Sequence, residues 1–281
     1  MKKNKIIINN QLVSYLANET AGEKRLLFLH GWRSSKEVWG QIVNKLISEQ
    51  ADKQINIYAI DLPGFGGSSL TPPSPSPSKG GNSAGMSVGD YAEMVKGFIE
   101  KLDLKNVIIV GHSFGGRVGI KLCGSPTTPP LDKLGTPLLG QEGRIKKLVL
   151  VDSAGFAIKS WRKNLMEIAA KIVKPFFKPK FMQGLRKKIY QKLGAEDYLA
   201  TPELQKTFIN VVGEDLTEDM KNISCPTLII WGENDKATPP SFGERMHALV
   251  PNSKFQILKQ AGHFSFLDQP EEFVEILNNF I

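Results

Sequence analysis

The sequence predicts an α/β protein with a mostly parallel central sheet that is flanked by helices. Short apolar segments alternate along the 281 residues with segments whose apolar residues recur at the helical period. The predicted strands are apolar throughout, which is typical of parallel strands buried on both faces. Hydrophobic residues make up 41% of the chain and charged residues 23%. This composition excludes a wholly disordered chain, a collagen-like repeat and a disulfide-rich miniprotein.

The N-terminal half begins with a hairpin and continues with alternating strands and helices. Ile6–Ile8 and Leu12–Tyr15 flank a polar turn at 9–11, which predicts an antiparallel pair at the edge of the sheet. The longer segments that follow have apolar residues at helical spacing, whereas the shorter apolar runs predict strands. These elements are strands at Leu26–Leu29, Ile55–Ile60 and Val107–Val110, and helices at Glu37–Ile47, Val88–Leu102 and Phe114–Cys123.

The C-terminal half repeats the same alternation. Pro270 opens the last predicted helix, as proline often does at the first helical position. The predicted elements are strands at Leu148–Val151, Leu228–Trp231 and Phe255–Leu258, and helices at Phe242–Leu249 and Pro270–Phe280.

Three segments interrupt this alternation. Ser68–Gly85 is rich in Ser, Pro and Gly, which predicts a loop, and Gly124–Gly143 places four prolines between a helix and the next strand. The third segment, Phe156–Lys221, has helical periodicity. Its apolar residues recur at steps of four, three, four and four at Trp161, Leu165, Ile168, Ile172 and Phe176. We therefore predict a core of residues 1–155 and 222–281 and an inserted helical cap at 156–221.

The net charge of +8 comes from one part of the predicted cap. Residues 156–194 contain eleven Lys and Arg and a single Glu, so they carry +10 and the rest of the chain −2. A basic run of this kind usually forms a solvated helical face. The alternatives are a weak contact with an anionic membrane surface and attraction for an acidic substrate. The sequence contains no RNA- or DNA-binding motif, so nucleic acid is not expected as a partner.

Targeting and redox features predict a cytoplasmic protein. No apolar run approaches the roughly 20 residues that span a bilayer. The apolar Ile6–Ile8 that follows the basic N-terminus is too short for a signal peptide. The two cysteines, Cys123 and Cys225, are 102 positions apart, which disfavours a disulfide framework or a cysteine zinc site.

A candidate nucleophile lies between a predicted strand and a predicted helix. Val107–Val110 leads into Gly111-His112-Ser113-Phe114-Gly115, a G-x-S-x-G sequence. A sharp strand-to-helix turn lifts such a serine above the sheet, and the glycines two positions away leave room for the turn. The helix that follows points its N-terminal amides at the site, where negative charge is favoured. Ser113 is therefore the candidate nucleophile.

A serine hydroxyl needs a base that removes its proton, and the base needs a carboxylate that orients it. His263 follows the last predicted strand, on the side of the sheet where Ser113 lies, and is the candidate base. Asp235 follows the preceding strand and is the candidate acid, with Asp152 and Glu233 as alternatives. Three histidines remain. His30 ends a predicted strand, His112 adjoins the serine, and His247 lies on a predicted helix.

Five segments together resemble the α/β-hydrolase fold family, in its serine esterase-like branch with a helical cap. They are His30-Gly31-Trp32, the D-x-x-G-x-G-x-S pattern at Asp61–Ser68, Gly111–Gly116, Gly232–Asp235 and Gly262-His263. The order of nucleophile, acid and base along the chain is also that of this family. The resemblance implies that no cofactor or metal is needed. It further implies an oxyanion hole formed by the backbone N–H groups of Trp32 and Phe114, with His30 ordering that loop instead of transferring protons.

The predicted function is a serine hydrolase that acts on a small-molecule carboxylic ester or lactone through an acyl-enzyme. Related epoxide hydrolases and haloalkane dehalogenases carry aspartate at the position of Ser113, so the serine favours acyl transfer. Large apolar side chains of the cap either line an acyl pocket or form the core of the cap. They are Trp161, Leu165, Met166, Phe176 and Phe177.

Three other functions are compatible with the same residues. A C–C bond hydrolase of diketone ring-cleavage products would use the same three side chains, and the basic cap would bind the carboxylates of its substrate. An acyltransferase would pass the acyl group to an alcohol instead of water. A non-catalytic ligand-binding or membrane-surface module is disfavoured by the intact set of serine, histidine and aspartate.

Overall fold

A mixed eight-stranded sheet lies at the centre of the protein. The computed structural model describes residues 1–49, 55–70, 85–125, 144–157 and 204–281. The strands are β1 (Lys2–Ile8), β2 (Gln11–Asn18), β3 (Arg25–Leu29), β4 (Asn56–Ile60), β5 (Val107–His112), β6 (Ile145–Val151), β7 (Thr227–Gly232) and β8 (Ser253–Leu258). Their order across the sheet is β1-β2-β4-β3-β5-β6-β7-β8.

Strands β3 to β8 are parallel, and the N-terminal hairpin is antiparallel to them. β3 pairs in parallel with β4 on one side and β5 on the other, and the parallel pairing continues through β6 and β7 to β8. β1 is antiparallel to β2, which is in turn antiparallel to β4. The predicted fold class and the predicted antiparallel edge are confirmed.

The turn between β1 and β2 has a simple local cause. Asn9 and Asn10 both lie in the left-handed region, with φ of 48° and 63°. A two-residue turn of this type matches the twist of the flanking strands, and asparagine tolerates positive φ better than most residues. Ile8 is therefore opposite Gln11, and this pairing sets the register of the hairpin.

Helices cover both faces of the sheet. They are α1 (Gly40–Glu49), α2 (Val88–Lys101), α3 (Phe114–Gly124), α4 (Gln205–Gly213), α5 (Thr217–Lys221), α6 (Pro240–Leu249), α7 (Ser265–Asp268) and α8 (Pro270–Phe280). A 3₁₀ turn at Lys36–Trp39 precedes α1. Helices α1, α7 and α8 bury their apolar side chains on one face, and α2, α3 and α6 bury theirs on the other. This burial of both faces supplies the main driving force for folding.

The structure changes the bounds of several predicted elements. β6 begins at Ile145 and β8 at Ser253, three and two residues before the predicted starts. The added residues at the start of each strand include an exposed lysine, which interrupts the apolar pattern. The segment predicted as one helix at Glu37–Ile47 is the 3₁₀ turn followed by α1, which extends to Glu49.

Parts of the three interrupting segments lie outside the described residues. These parts are 71–84, 126–143 and 158–203. Helices α4 and α5 fall in the C-terminal part of the predicted cap segment. The division into a core and a cap stays a prediction.

Helix α3 approaches the neighbouring strand so closely that its first turn leaves no space for a side chain. A Cβ atom on Gly115 would overlap the backbone oxygen of Leu29 at the end of β3. Glycine at this position therefore brings the segment that follows β3 into contact with the turn that precedes α3.

We expect Gly115→Ala to lower the free energy of unfolding by about 2–3 kcal/mol or more, because the added methyl group meets rigid backbone. Gly40→Ala is the matched control, since Gly40 has helical dihedral angles and a Cβ atom there would have no neighbour within 4 Å. The free energy of unfolding of this control should rise by about 0.5–1 kcal/mol, because alanine has a higher helix propensity than glycine. Urea denaturation followed by circular dichroism measures both changes. Equal stability of the two variants would contradict the close approach.

Candidate functional site

Ser113 occupies a strained turn between β5 and α3. Its φ of 50° and ψ of −108° lie outside the regions that side chains normally favour. Glycine on either side makes the turn feasible, because a Cβ atom on Gly111 would lie 2.5 Å from the backbone oxygen of Gly115. The turn presents the Ser113 side chain at the carboxyl ends of the parallel strands.

The backbone of Ser113 is held by hydrogen bonds from two sides. Its N–H donates to the carbonyl oxygen of Val151 at 3.0 Å, which connects it to the end of β6. Its carbonyl oxygen accepts from the N–H groups of Gly116, Arg117 and Ala154 at 3.1, 3.3 and 3.2 Å. These bonds offset the cost of the positive φ.

A chain of contacts connects Ser113 to a histidine and a buried carboxylate. The Nε2 atom of His263 lies 3.1 Å from the Oγ atom of Ser113, and its Nδ1 atom lies 2.8 Å from the Oδ2 atom of Asp235. In the tautomer that fits both contacts, Nδ1–H donates to the carboxylate and Nε2 accepts from the serine hydroxyl. The structure thus brings together the three residues that the sequence predicts as nucleophile, base and acid.

Asp235 is held as an ionised carboxylate. It is 4% exposed, and its oxygens also accept from the N–H groups of Ala237 and Thr238 and from the Thr238 hydroxyl, at 2.8, 3.0 and 2.8 Å. Burial disfavours the charged form, but the hydrogen bonds from His263 and Thr238 outweigh it and lower the pKa of Asp235.

The two alternative acids have other partners. Glu233 is exposed and pairs with Lys259 at 2.8 Å. Asp152 is fully buried, and its carboxylate accepts hydrogen bonds from the backbone of Gly232 and from Ser265. The structure therefore places Asp235, and neither alternative, against the ring of His263.

Two further histidines near the site are buried and neutral. His30 donates from Nδ1 to the carbonyl oxygen of Gly31 at 2.7 Å and accepts at Nε2 from the Leu62 N–H at 3.0 Å. His112 donates from Nε2 to the carbonyl oxygen of His263 at 2.7 Å. Burial lowers the pKa of His30 to about 4 and that of His112 to about 3. His30 thus ties the loop after β3 to the loop after β4, and His112 holds the backbone of His263.

The predicted oxyanion residues flank Ser113. A Cβ atom on Gly31 would lie 3.4 Å from the Cβ atom of Ser113, so the loop after β3 runs directly past the serine. Trp32 follows in this loop, Phe114 is the first residue of α3, and their ring centroids are 5.3 Å apart. The two residues that carry the predicted backbone donors are therefore neighbours of Ser113, and their side chains contact each other.

A buried ion pair fixes the loop that contains Trp32. Lys36 Nζ lies 2.5 Å from Asp61 Oδ2, and the N–H of Lys36 donates to Asp61 Oδ1 at 2.7 Å. Asp61 also accepts from the N–H of Gly67 at 2.8 Å. Lys36 and Asp61 are 4% and 0% exposed. The carboxylate of Asp61 thus joins the loop after β3 to the loop after β4.

Aromatic rings form an apolar wall beside these loops. The ring of Trp32 packs against Phe65, Phe114 and Phe208, with centroid distances of 5.0, 5.3 and 5.2 Å. Three residues of the site are not predicted from the sequence, namely Phe65, Phe208 and Lys36. Phe65 lies inside the D-x-x-G-x-G-x-S pattern, which could have drawn attention to it. The predicted pocket residues Trp161, Leu165, Met166, Phe176 and Phe177 lie outside the described residues.

The described parts of the chain offer neither a cluster of metal ligands nor a membrane-spanning helix. They contain no group of three or more His, Cys, Asp or Glu side chains suited to holding a metal ion. None of their helices combines the length and the apolar character needed to cross a bilayer.

Comparison with known proteins identifies similar sequences over nearly the whole chain. A profile of the alpha/beta hydrolase family matches residues 26–276. The pimeloyl-[acyl-carrier protein] methyl ester esterase of Nitrosospira multiformis is 24% identical, over 93% of this chain and 96% of that protein. The 2-hydroxy-6-oxononadienedioate/2-hydroxy-6-oxononatrienedioate hydrolase 1 of Pseudomonas putida is 24% identical, over 92% of this chain and 88% of that protein.

Solved structures share the fold at lower sequence identity. An esterase from Exiguobacterium antarcticum superimposes with a TM-score of 0.70 at 20% identity, covering 99% of both chains. The enol-lactonase from Burkholderia xenovorans gives a TM-score of 0.69 at 16% identity, again covering 99% of both chains.

Breaking the buried ion pair should destabilise the protein. We expect Lys36→Met to cost about 3–5 kcal/mol of unfolding free energy, because Asp61 stays buried with its charge unpaired. Lys45→Met is the control, since Lys45 pairs only with exposed carboxylates at the surface. This control should leave the urea midpoint nearly unchanged. If the two variants unfold at the same urea concentration, the Lys36–Asp61 pair does not hold the loop.

The buried histidines should stay neutral across the working range of pH. Because their pKa values are about 4 and 3, the imidazole resonances of His30 and His112 should not move between about pH 5.5 and 9. Histidine-selective NMR spectra recorded over this range test the expectation. A titration step from either ring within the range would show that the ring is less buried in solution.

Proposed function

Since the chain belongs to the alpha/beta hydrolase family, we propose that it is a serine hydrolase of carboxylic esters or lactones, with Ser113 as nucleophile, His263 as base and Asp235 as acid. The observation that carries this proposal is the unbroken series of contacts from Ser113 Oγ through His263 to Asp235. The backbone N–H groups of Trp32 and Phe114 serve as the oxyanion hole. The reaction needs no cofactor.

In the first half of the reaction the ester is opened. His263 Nε2 takes the proton of the Ser113 hydroxyl as Oγ bonds to the carbonyl carbon. The carbonyl oxygen becomes an alkoxide, which the two backbone N–H groups stabilise by a few kcal/mol each. When the alkoxide re-forms the carbonyl, the bond to the leaving alcohol breaks and His263 gives the alcohol its proton. The products are the free alcohol and an acyl group on Ser113.

In the second half of the reaction, water displaces the Ser113 oxygen from the acyl group. His263 takes a proton from water as the water oxygen bonds to the acyl carbon, and the same oxyanion hole holds the second alkoxide. Collapse of this intermediate releases the carboxylic acid and returns the proton to Ser113 Oγ. Asp235 stays ionised throughout and stabilises the imidazolium, which agrees with its lowered pKa.

An apolar acyl group fits the surroundings of Ser113. The aromatic wall of Trp32, Phe65, Phe114 and Phe208 stands beside the nucleophile. We extend the acyl pocket to the cap residues Trp161, Leu165, Met166, Phe176 and Phe177, which the sequence predicts above the site. Relatives named as a methyl ester esterase and an enol-lactonase support esters and lactones as the substrate class.

The wider setting follows from the sequence. We propose a core of residues 1–155 and 222–281 with a basic helical cap at 156–221. We also propose a cytoplasmic location, which the low number of cysteines, two in 281 residues, supports. A weak contact between the basic cap and an anionic membrane surface remains part of this proposal, and salt-sensitive binding to anionic liposomes tests it.

A C–C bond hydrolase is the second candidate. It is favoured by the relative from Pseudomonas putida, which is named as a hydrolase of 2-hydroxy-6-oxononadienedioate and 2-hydroxy-6-oxononatrienedioate, compounds with two carboxylates. The same three residues would act, and the basic segment at 156–194 would attract the carboxylates of such a substrate. A substrate panel separates this candidate from the esterase.

The first experiment is hydrolysis of p-nitrophenyl esters of increasing acyl length by the wild type and by paired variants. We expect Ser113→Ala, His263→Ala and Asp235→Asn each to lower kcat by about 10⁴-fold or more. The control variants are His247→Ala and Glu233→Gln, which change an exposed histidine and an exposed carboxylate away from these contacts. They should keep nearly full activity.

The same panel decides between the candidates. Turnover of esters that depends on Ser113 supports the esterase, and the preferred acyl length measures the pocket. Turnover of vinylogous diketones without turnover of esters would favour the C–C hydrolase. Ester products formed in the presence of added alcohols would indicate an acyltransferase. Activity that survives Ser113→Ala would overturn the proposal, and a folded wild type without activity on the whole panel would favour the binding module.

A further inference from the structure

The end of β6 and the turn that follows it contact the segments that carry Ser113, Asp235 and His263. Val151, the last residue of β6, accepts from the N–H of Ser113, and Ala154 in the turn donates to the Ser113 carbonyl oxygen. Between them lies Asp152, which the mechanism above does not use. Its backbone is in the left-handed region, with φ of 45°, and the residue is 0% exposed. A strained backbone and a buried carboxyl group both cost free energy, so strong local contacts must compensate for them.

The side chain of Asp152 joins two loops. Its Oδ1 atom accepts from the N–H of Gly232 at 2.7 Å, three residues before Asp235. Its Oδ2 atom accepts from the N–H and the hydroxyl of Ser265 at 3.1 and 2.6 Å, two residues after His263. One carboxylate thus connects the start of the loop that carries the acid to the end of the loop that carries the base.

A third contact acts on the acid itself. The hydroxyl oxygen of Thr238 lies 3.1 Å from the backbone carbonyl oxygen of Asp152 and 2.8 Å from Asp235 Oδ2. Asp152 therefore touches the segments on both sides of the Asp235–His263 hydrogen bond without touching the reacting atoms.

We propose that Asp152 is a positioning residue, which fixes the distance between Asp235 and His263 and places a second negative charge behind the imidazolium. This inference rests on the proposed serine mechanism. Three donors converge on the carboxylate, so its ionised form has the better hydrogen bonds. A fixed distance matters, because a displacement of about 1 Å in such a site costs about 100-fold in rate.

The charge of Asp152 changes near neutral pH. Burial raises its pKa to about 7, with repulsion from Asp235 adding to the rise and the bonds from Ser265 and Gly232 opposing it. The segments packed against Asp152 also carry the titratable groups Asp235, His263 and His112 and the exposed Lys236. Glu233 and Asp268 lie on the same segments but bond to Lys259 and to the N–H of Gly262. Above about pH 7 Asp152 therefore adds a negative charge next to the segments that carry Asp235 and His263, and below that pH it is mostly neutral.

The test compares Asp152→Asn with the wild type on whichever substrate of the panel is turned over. The amide keeps the size of the side chain, but its NH₂ group faces a donor from one of the two loops. We expect kcat to fall about 10- to 100-fold while KM changes less than about threefold. Because the variant lacks a group that must ionise near pH 7, the acidic limb of the kcat/KM profile should move to lower pH by about half a unit or more.

Two further variants separate positioning from charge and from stability. Ser265→Ala removes one hydrogen bond and keeps the carboxyl group, so kcat should fall less than in Asp152→Asn. Because that hydrogen bond opposes the rise in the pKa of Asp152, the acidic limb should move to higher pH, opposite to the shift in Asp152→Asn. Asp219→Asn removes a buried carboxylate that pairs with Lys121, at the far end of α3 from Ser113. It should lower stability without changing kcat or the pH profile. If Asp152→Asn does not fold, the kcat of Ser265→Ala decides the question.

A readout without turnover distinguishes this inference from the proposed function. The Nδ1–H proton of His263 should give a low-field NMR signal, and this signal should broaden or move upfield in Asp152→Asn and stay unchanged in Asp219→Asn. An unchanged signal, or Asp152→Asn and Ser265→Ala variants with the kcat of the wild type, would overturn the positioning role. Wild-type activity that is independent of Ser113 would instead overturn the proposed function, and the NMR comparison would still test Asp152.

Discussion

The positive φ of Ser113 is the constraint on which the rest of the site depends. A single residue in this conformation reverses the chain between β5 and α3, and it needs glycine at 111 and 115 because the backbones approach too closely for a side chain. That approach in turn brings the loop after β3 against the serine. The end of β6 and the turn after it then hold the strained peptide through Val151 and Ala154. The nucleophile is thus positioned by backbone that belongs to three neighbouring strands.

Buried carboxylates fix the spacing of the surrounding loops, as hydrogen bonds between strands fix the spacing of the sheet. Loops have few regular backbone bonds of their own, so one carboxylate that accepts from two loops can fix their spacing. Asp61 joins the loops after β3 and β4, and Asp152 joins the loops after β7 and β8. Each carboxylate costs desolvation, and each is surrounded by donors that offset this cost. The charged groups therefore lie where irregular backbone must be held still.

The sheet, the order of its elements and the residues of the Ser113–His263–Asp235 chain could be predicted from the sequence, because periodicity and position after a strand are local properties. The sequence offers Asp235, Asp152 and Glu233 as carboxylates that each follow a strand, and only the path of each loop decides which of them reaches His263. The Lys36–Asp61 pair and the contact of Phe208 with Trp32 join segments far apart in sequence. No local pattern marks such contacts. The early start of β6 was missed because lysines interrupt its apolar run.

Of the three histidines at the site, His263 is the one whose surroundings can stabilise a positive charge on the ring. His30 and His112 are almost completely buried, each donates to a backbone carbonyl oxygen, and burial holds the pKa of each far below neutrality. The side chain of His263 is 22% exposed and faces Asp235. Because the two neighbouring rings stay neutral, they neither compete for the proton of Ser113 nor repel the imidazolium that forms when His263 takes it. The buried histidines can therefore hold the loops in place without weakening the base.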